Sequence, residues 1–160
     1  MAGRPVAGRI DARLAELGLV LPTAMPPMAT YVPYVITGNL VVVSGQVPAV
    51  DGRIAVTGKV GLDLDVAQGQ HAARLCFTNV LTHLRAACGG DLDRVRRVVR
   101  LGGFVASPPG FTRHALVMNG ASDLAVEVFG EAGRHARSTI GVPALPGDAA
   151  VEVEGMFEIA

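Results

Sequence analysis

Residues 136–159 read ARSTIGVPALPGDAAVEVEGMFEI, and they hold the two strands that decide the architecture. Arg137–Val142 is a short β-rich run. Ala150–Ile159 alternates Val151 and Val153 with Glu152 and Glu154, the period-two pattern of a strand with one buried face. Upstream, Phe111, Ala115, Met118, Ser122, Ala125 and Phe129 recur at helical spacing, with Gly130 as the stop. Before that helix, Val95–Val105 is rich in Val, Leu and Phe and long enough for a strand, with Gly102-Gly103 expected as a bulge. Further upstream, Ala73, Cys76, Val80, Leu84 and Ala87 mark the buried face of a helix from Asp65 to about Cys88, ended by Gly89-Gly90. The order strands, helix, strand, helix, two strands predicts an α+β fold, a sheet with both long helices on one face. A largely apolar sheet face left open to water implies self-association.

The sheet begins with a hairpin. Val32–Ile36 and Leu40–Val43 flank Thr37-Gly38-Asn39, which supplies residues suited to positive φ, and Ser44-Gly45-Gln46 ends the second strand. Asp51-Gly52 is a further turn before a short strand at Arg53–Val56. Ahead of all this, Ile10, Leu14 and Leu17 form one face of a short helix closed by Gly18, expected to sit on the domain as an appendage, and Pro22, Pro26 and Pro27 make residues 22–30 an extended connection. The division is therefore 1–30, helix and proline-rich connection, and 31–160, the compact domain.

Composition narrows the function classes. With 50% hydrophobic residues over 160 positions the chain can bury one sizeable core unaided by staples. Its 14 basic and 14 acidic side chains give no basic footprint for nucleic acid, and 4% aromatics leave few rings on which to stack bases. No stretch approaches a membrane span and the start lacks a secretory h-region, so a cytoplasmic protein is expected. Cys76 and Cys88 read as reduced, buried thiols. His71, His83, His114 and His135 lack metal-ligand spacing, so no metal site is expected, and Gly58-Lys59 lacks the rest of a phosphate loop.

The residues that invite chemistry each have a plainer reading. Arg137 lies among small and apolar residues, where its fork would hold a substrate carboxylate or pair structurally with Glu152 or Glu154. Glu152 and Glu154 share one strand face, as general base or as solvated surface. Arg94, Arg96, Arg97 and Arg100 suit phosphates or, better, a solvated edge or subunit rim. Asn119 is a polar residue in an apolar helix, a ligand contact or a satisfied buried amide. Tyr31 offers a hydroxyl or edge packing.

Several of these segments together resemble the RidA (YjgF/YER057c/UK114) family, whose members include 2-imino acid deaminases. The matching pieces are Ser44-Gly45-Gln46-Val47-Pro48, the helix with Asn79-Val80-Leu81, residues 91–105, Ala136-Arg137-Ser138, Leu145-Pro146 and Val151-Glu152-Val153-Glu154, within residues 31–158. The resemblance implies a chorismate-mutase-like mixed sheet and a cytoplasmic homotrimer with ligand clefts between subunits. It implies that Arg137 holds the substrate carboxylate and Glu152 positions the attacking water. Tyr31, Gly45, Asn119 and Thr139 complete the substrate site, and no cofactor is needed. Departures mark a divergent subgroup: Thr139 stands where the deaminases commonly have cysteine, His135 replaces Pro or Ala, and Pro143 occupies a small or basic position. The expected function is hydrolysis of reactive imines to 2-oxo acids and ammonia. The alternatives are a non-catalytic protein that binds a small carboxylate metabolite, or the ribonuclease or translation-inhibitor activity attached to some family names, which neutral charge and sparse aromatics disfavour.

Overall fold

A computed structural model describes residues 8–24 and 29–160. Pro26 and Pro27 of the expected connection lie outside the described residues. In chain order the elements are α1 (Arg9–Glu16), β1 (Tyr34–Thr37), β2 (Leu40–Gln46), β3 (Ala49–Val50), β4 (Arg53–Ile54), α2 (Val66–Ala87), β5 (Val95–Ala106), α3 (His114–Phe129), β6 (Ala136–Val142) and β7 (Val151–Ile159). Five strands form one mixed sheet in the order β1-β2-β7-β5-β6, antiparallel except for β5 and β6, while β3 and β4 pair separately. Helix α2 packs over β2 and β7, and α3 lies against α2 and over β5 and β6. Both long helices thus cover one face, as the order of elements predicts.

Local chemistry explains the boundaries. Asp65 caps α2 by accepting from the Gln68 amide at 2.8 Å, and the Gln68 side chain accepts in return from the Asp65 amide at 2.9 Å, a reciprocal pair that satisfies two otherwise orphaned donors. Gly89 and Gly90, both at positive φ, follow the C-cap Cys88. Between the helices and the sheet, Phe77, Leu81, Leu101, Met118, Leu124 and Phe157 are fully buried. Cys76 and Cys88 are buried free thiols, as expected.

Three expectations change. The second long helix begins at His114 rather than Phe111, with Phe111 in the preceding turn and its ring edge-on to His114 at 5.0 Å. No bulge falls at Gly102-Gly103; the register shifts lie between Val95 and Arg97 and between Val98 and Arg100. Those two glycines keep the strand flat where other groups cross it. A Cβ on Gly103 would lie 2.5 Å from Met118 Sδ of α3, and one on Gly102 would lie 2.6 Å from Glu154 Oε1 on the opposite face. Finally, β5 is an interior strand, so Arg96, Arg97 and Arg100 do not lie on a sheet edge, although Arg96 and Arg97 are solvent-exposed. Arg94, just before β5, folds back onto the carbonyls of Cys88 and Ala160, and Arg100 pairs with Glu154 at 3.6 Å.

Helix α1 docks through two side chains, Ile10 at 1% exposure and Leu14 at 3%, which join the main buried cluster. The Asp93 carboxylate accepts from the amides of Arg9 and Ile10, both at 2.8 Å, and so caps α1 from across the fold. Those two bonds hold the Asp93 carboxyl below its ordinary range. Arg13 adds a bond from Nε to the Glu127 carbonyl on α3 at 2.7 Å, and Asp11 pairs with Arg85 of α2. The uncovered sheet face is less apolar than the sequence argument pictured. Val35, Val42 and Ile140 are exposed there, but the Arg100–Glu154 ion pair lies among them. No helix among the described residues is long and apolar enough to cross a membrane.

Candidate functional site

The residues singled out in the sequence gather at two separate places. The first is a cavity of about 370 Å³, lined by Tyr31, Gly45 and Glu152 together with Asn79, Thr82 and His83 of α2. Strand β2 slips register against β7 between Val43 and Gln46, so the chain bulges at Ser44-Gly45 beside Glu152. A Cβ on Gly45 would stand 2.6 Å from Glu152 Oε1, so a larger residue at the bulge would displace that carboxylate. Ser44 secures the bulge by donating its hydroxyl to the Val32 carbonyl at 2.7 Å.

Glu152 is half-buried beside this bulge. Burial, and then the nearby Glu154 charge, raise its carboxyl above the usual glutamate range, which favours a group able to take up a proton. Asn79 spans the cavity wall, its amide donating to the carbonyls of Val47 at 2.9 Å and Ala49 at 3.1 Å and so fixing the β3 segment against α2. Thr82 donates to the Pro22 carbonyl at 3.1 Å, tying the N-terminal segment to the same wall. His83 is 3% exposed and burial lowers its pKa. In the sequence His83 stands out only as a histidine without metal-ligand spacing. Its place four residues after Asn79, on the same helix face, was the available signal.

The second place lies between α3 and the edge strand β6. Here Arg137 Nη1 donates to Asn119 Oδ1 at 2.9 Å and to Ser122 Oγ at 3.0 Å, and Nη2 donates to the Ala115 carbonyl at 3.1 Å. All three acceptors are neutral and sit along one side of α3. The structural ion pair with Glu152 or Glu154 is not formed; the carboxylate of Glu154 goes to Arg100 instead. Thr139, on the same side of β6 two residues on, has a buried hydroxyl with no hydrogen-bond partner.

Register places the two groups on opposite faces of the sheet. Arg137 lies in the row of Leu101 and Gly155, with its side chain on α3. Glu152 lies in the row of Phe104 and Ile140 and, by alternation with the fully buried Val151 and Val153, on the face away from the helices. Tyr31, Gly45 and Glu152 therefore form one half of the expected site and Arg137, Asn119 and Thr139 the other, and in a single chain the two halves stay apart. Among the described residues no three His, Cys, Asp or Glu side chains converge to hold a metal ion.

Comparison with known proteins follows this geometry. Residues 11–158 match the family described as "YjgF/chorismate mutase-like, putative endoribonuclease", a match that reaches back into α1. The chain is 50% identical over 154 residues to Protein TCP17 of Trypanosoma cruzi, covering 96% of each. It superimposes on the protein Atu1372 of Agrobacterium tumefaciens with a TM-score of 0.89 at 53% identity, covering 94% of this chain and 92% of that one. Against E. coli TdcF, solved with bound serine, the TM-score is 0.62 at 25% identity, with 86% and 94% of the two chains covered. With these matches spanning nearly its whole length, and with the mixed sheet and paired helices of that fold, the chain belongs to the YjgF/chorismate-mutase-like family.

Proposed function

We propose that this protein is a 2-imino acid deaminase whose site is completed between copies of the chain in a homotrimer. The observation that carries the reading is the division of the site. Arg137 is held on α3 by neutral acceptors alone, its charge left available for an incoming carboxylate, while Glu152, with a raised pKa, stands in a different sheet row beside a separate cavity lined also by α2. In this reading a second subunit laid on the open face of the sheet sets the edge strand β6 of one copy beside Glu152 of the next, and covers Val35, Val42 and Ile140. The serine bound to TdcF carries the same α-carboxylate that the substrate of this reading presents to Arg137.

In this site the guanidinium forks onto the substrate carboxylate, with Asn119 and Thr139 beside it, and so fixes the imine carbon near Glu152. The carboxylate of Glu152 takes a proton from a water molecule as the oxygen adds to that carbon. Glu152 returns that proton to the carbinolamine nitrogen, the hydroxyl proton passes to the freed carboxylate as the carbonyl forms and the C–N bond breaks, and the 2-oxo acid and ammonia leave, the carboxyl losing its proton to solvent. An imine is already electrophilic, so orientation and one proton acceptor suffice, and orientation alone is worth up to about 7–11 kcal/mol in favourable intramolecular systems. No cofactor is required by this chemistry, and the protein is expected in the cytoplasm.

The test generates imines in situ from several amino acids with an amino-acid oxidase and follows 2-oxo acid release with wild type, Arg137→Ala and Glu152→Gln. Acceleration by wild type that is lost in both folded variants supports the reading. Stoichiometric binding of the ligand without conversion overturns it in favour of a carboxylate-binding protein. A monomer in sedimentation would remove the intersubunit site.

A further inference from the structure

Next to Arg137 is a set of polar atoms that the proposed reaction does not use. His135 stands two residues before Arg137, just ahead of β6, and both side chains reach Ser122 of α3. Ser122 stands three residues after Asn119 on the facing side of that helix. His135 Nδ1 lies 2.6 Å from the Gly133 carbonyl, and its Nε2 lies 2.9 Å from Ser122 Oγ. The Ser122 oxygen is the same atom that receives Arg137 Nη1 at 3.0 Å.

Donor and acceptor rules order the protons along this chain. A carbonyl oxygen only accepts, so the hydrogen is on His135 Nδ1. In the neutral imidazole Nε2 then carries a lone pair, and the single hydroxyl proton of Ser122 is donated into it. The oxygen of Ser122 is left free to accept from the guanidinium. The sequence Arg137 to Ser122 to His135 to the Gly133 carbonyl therefore runs in one direction with every group satisfied. A protonated ring would donate from Nε2 and leave Ser122 facing two donors, with its own proton displaced. Burial and the neighbouring Arg137 charge both hold His135 toward the neutral form, against the opposing pull of the Gly133 carbonyl.

We propose that Ser122 and His135 are positioning residues that aim the Arg137 guanidinium, through a proton-ordered relay anchored on the Gly133 carbonyl, and thereby set affinity for the substrate carboxylate without touching the substrate. The role rests on the reading of Arg137 as the carboxylate holder. It explains His135 in this chain, because a Pro or Ala before Ala136-Arg137 could not accept from Ser122.

Two measurements on the full chain test it. Long-range nitrogen–proton NMR of the histidine rings, assigned by the signals lost in His135→Leu, should show His135 as the neutral Nδ1–H tautomer. An Nε2–H tautomer overturns the relay. Kinetics with the leucine-derived imine, and calorimetry with serine as an unreactive carboxylate probe, then compare Ser122→Ala, His135→Leu and His135→Gln. The Gln amide oxygen can replace Nε2 as acceptor. For Ser122→Ala and His135→Leu, KM and the serine Kd should rise about tenfold, the scale of one hydrogen bond to a charged group, with kcat within about twofold. His135→Gln should recover most of the loss. Equal behaviour of Gln and Leu, or parallel falls in kcat and thermal stability with KM unchanged, overturns the positioning role and leaves the deaminase reading intact. Conversely, a wild type that converts no imine defeats that reading, whereas a serine Kd still weakened by His135→Leu and restored by His135→Gln would keep the positioning role.

Discussion

Gly120→Ala is the substitution that most directly tests how α2 and α3 hold the site. Gly120 lies in α3 where that helix crosses α2, and a Cβ there would stand 2.0 Å from the Gln70 carbonyl oxygen and 2.7 Å from its carbon. Ordinary contact begins at about 3.5 Å, so the helices must part locally by about 1.5 Å. The neighbour is backbone, so no rotamer change relieves the clash. Overpacking costs about 1–3 kcal/mol, and a backbone clash belongs at the upper end, while Ala returns about 1 kcal/mol of helix propensity over Gly. The net loss is about 2 kcal/mol, or a Tm lower by about 4–8 °C for a chain of this size. Asn119 is the adjacent residue, so the same displacement loosens its bond to Arg137 and kcat/KM should fall. Calorimetry at matched protein concentration checks the first effect, because self-association makes Tm concentration-dependent. Gly69→Ala is the comparison: its Cβ would meet only side-chain atoms of Val117 and Val60, at 3.0 and 3.1 Å, and should be far milder. A Gly120→Ala protein at or above the wild-type Tm would refute the close approach and the argument built on it.

Other perturbations address separate parts of the molecule. Leu14→Ala should destabilise by about 2–5 kcal/mol in urea unfolding, because the side chain is 3% exposed in the main cluster. Asp93→Asn keeps one acceptor oxygen but loses the second and the charge at the helix N-terminus, and should lose about 0.3–1 kcal/mol at pH 7. The Asp93 carboxyl is lowered by its bonds to the α1 amides, so that stability is present above the unfolded aspartate pKa and disappears as pH falls through the folded value; the two proteins should converge in strong acid. Glu152 shows the opposite sign. Its carboxyl is raised by burial and by Glu154, so its contribution is favourable below the unfolded glutamate pKa and is lost as pH rises through the folded value. Glu152→Gln should therefore have a higher Tm than wild type at pH 7–8, with the gap closing near pH 4. Cys76 and Cys88 should resist a thiol reagent in the native protein and react after denaturation, since burial raises both thiols.

Periodicity carried much of the architecture. The alternation of Val151 to Glu154 and the helical spacing of Ala73 to Ala87 are local consequences of backbone geometry, and both hold in the fold. What local pattern cannot carry is how distant elements meet. Gly102-Gly103 looked like a strand irregularity because glycine weakens strands. The reason for the pair is Met118 on one side and Glu154 on the other, neither near in sequence. Arg137 and Glu152 were picked out together, by residue type and by resemblance, yet only the register of β5 with β6 and β7 puts them on opposite faces. Ser122 and His135 were visible as a core-helix position and as a departure, but their bond to each other joins two elements across a turn. Asn79 and His83 were legible as helix positions, and their part in the cavity appears only when β3 is laid against α2.

The strand order also bears on how the chain acquires its shape at the ribosome. β7 lies between β2 and β5, although it is synthesised after every other strand. Until it emerges, no strand joins the β1–β2 hairpin to the β5–β6 pair, and α2 lacks half of the floor on which it rests. Nascent chains that stop before Val151 should consequently remain open to proteases and chaperones, with native protection arriving in one late step as the strand slots between its neighbours.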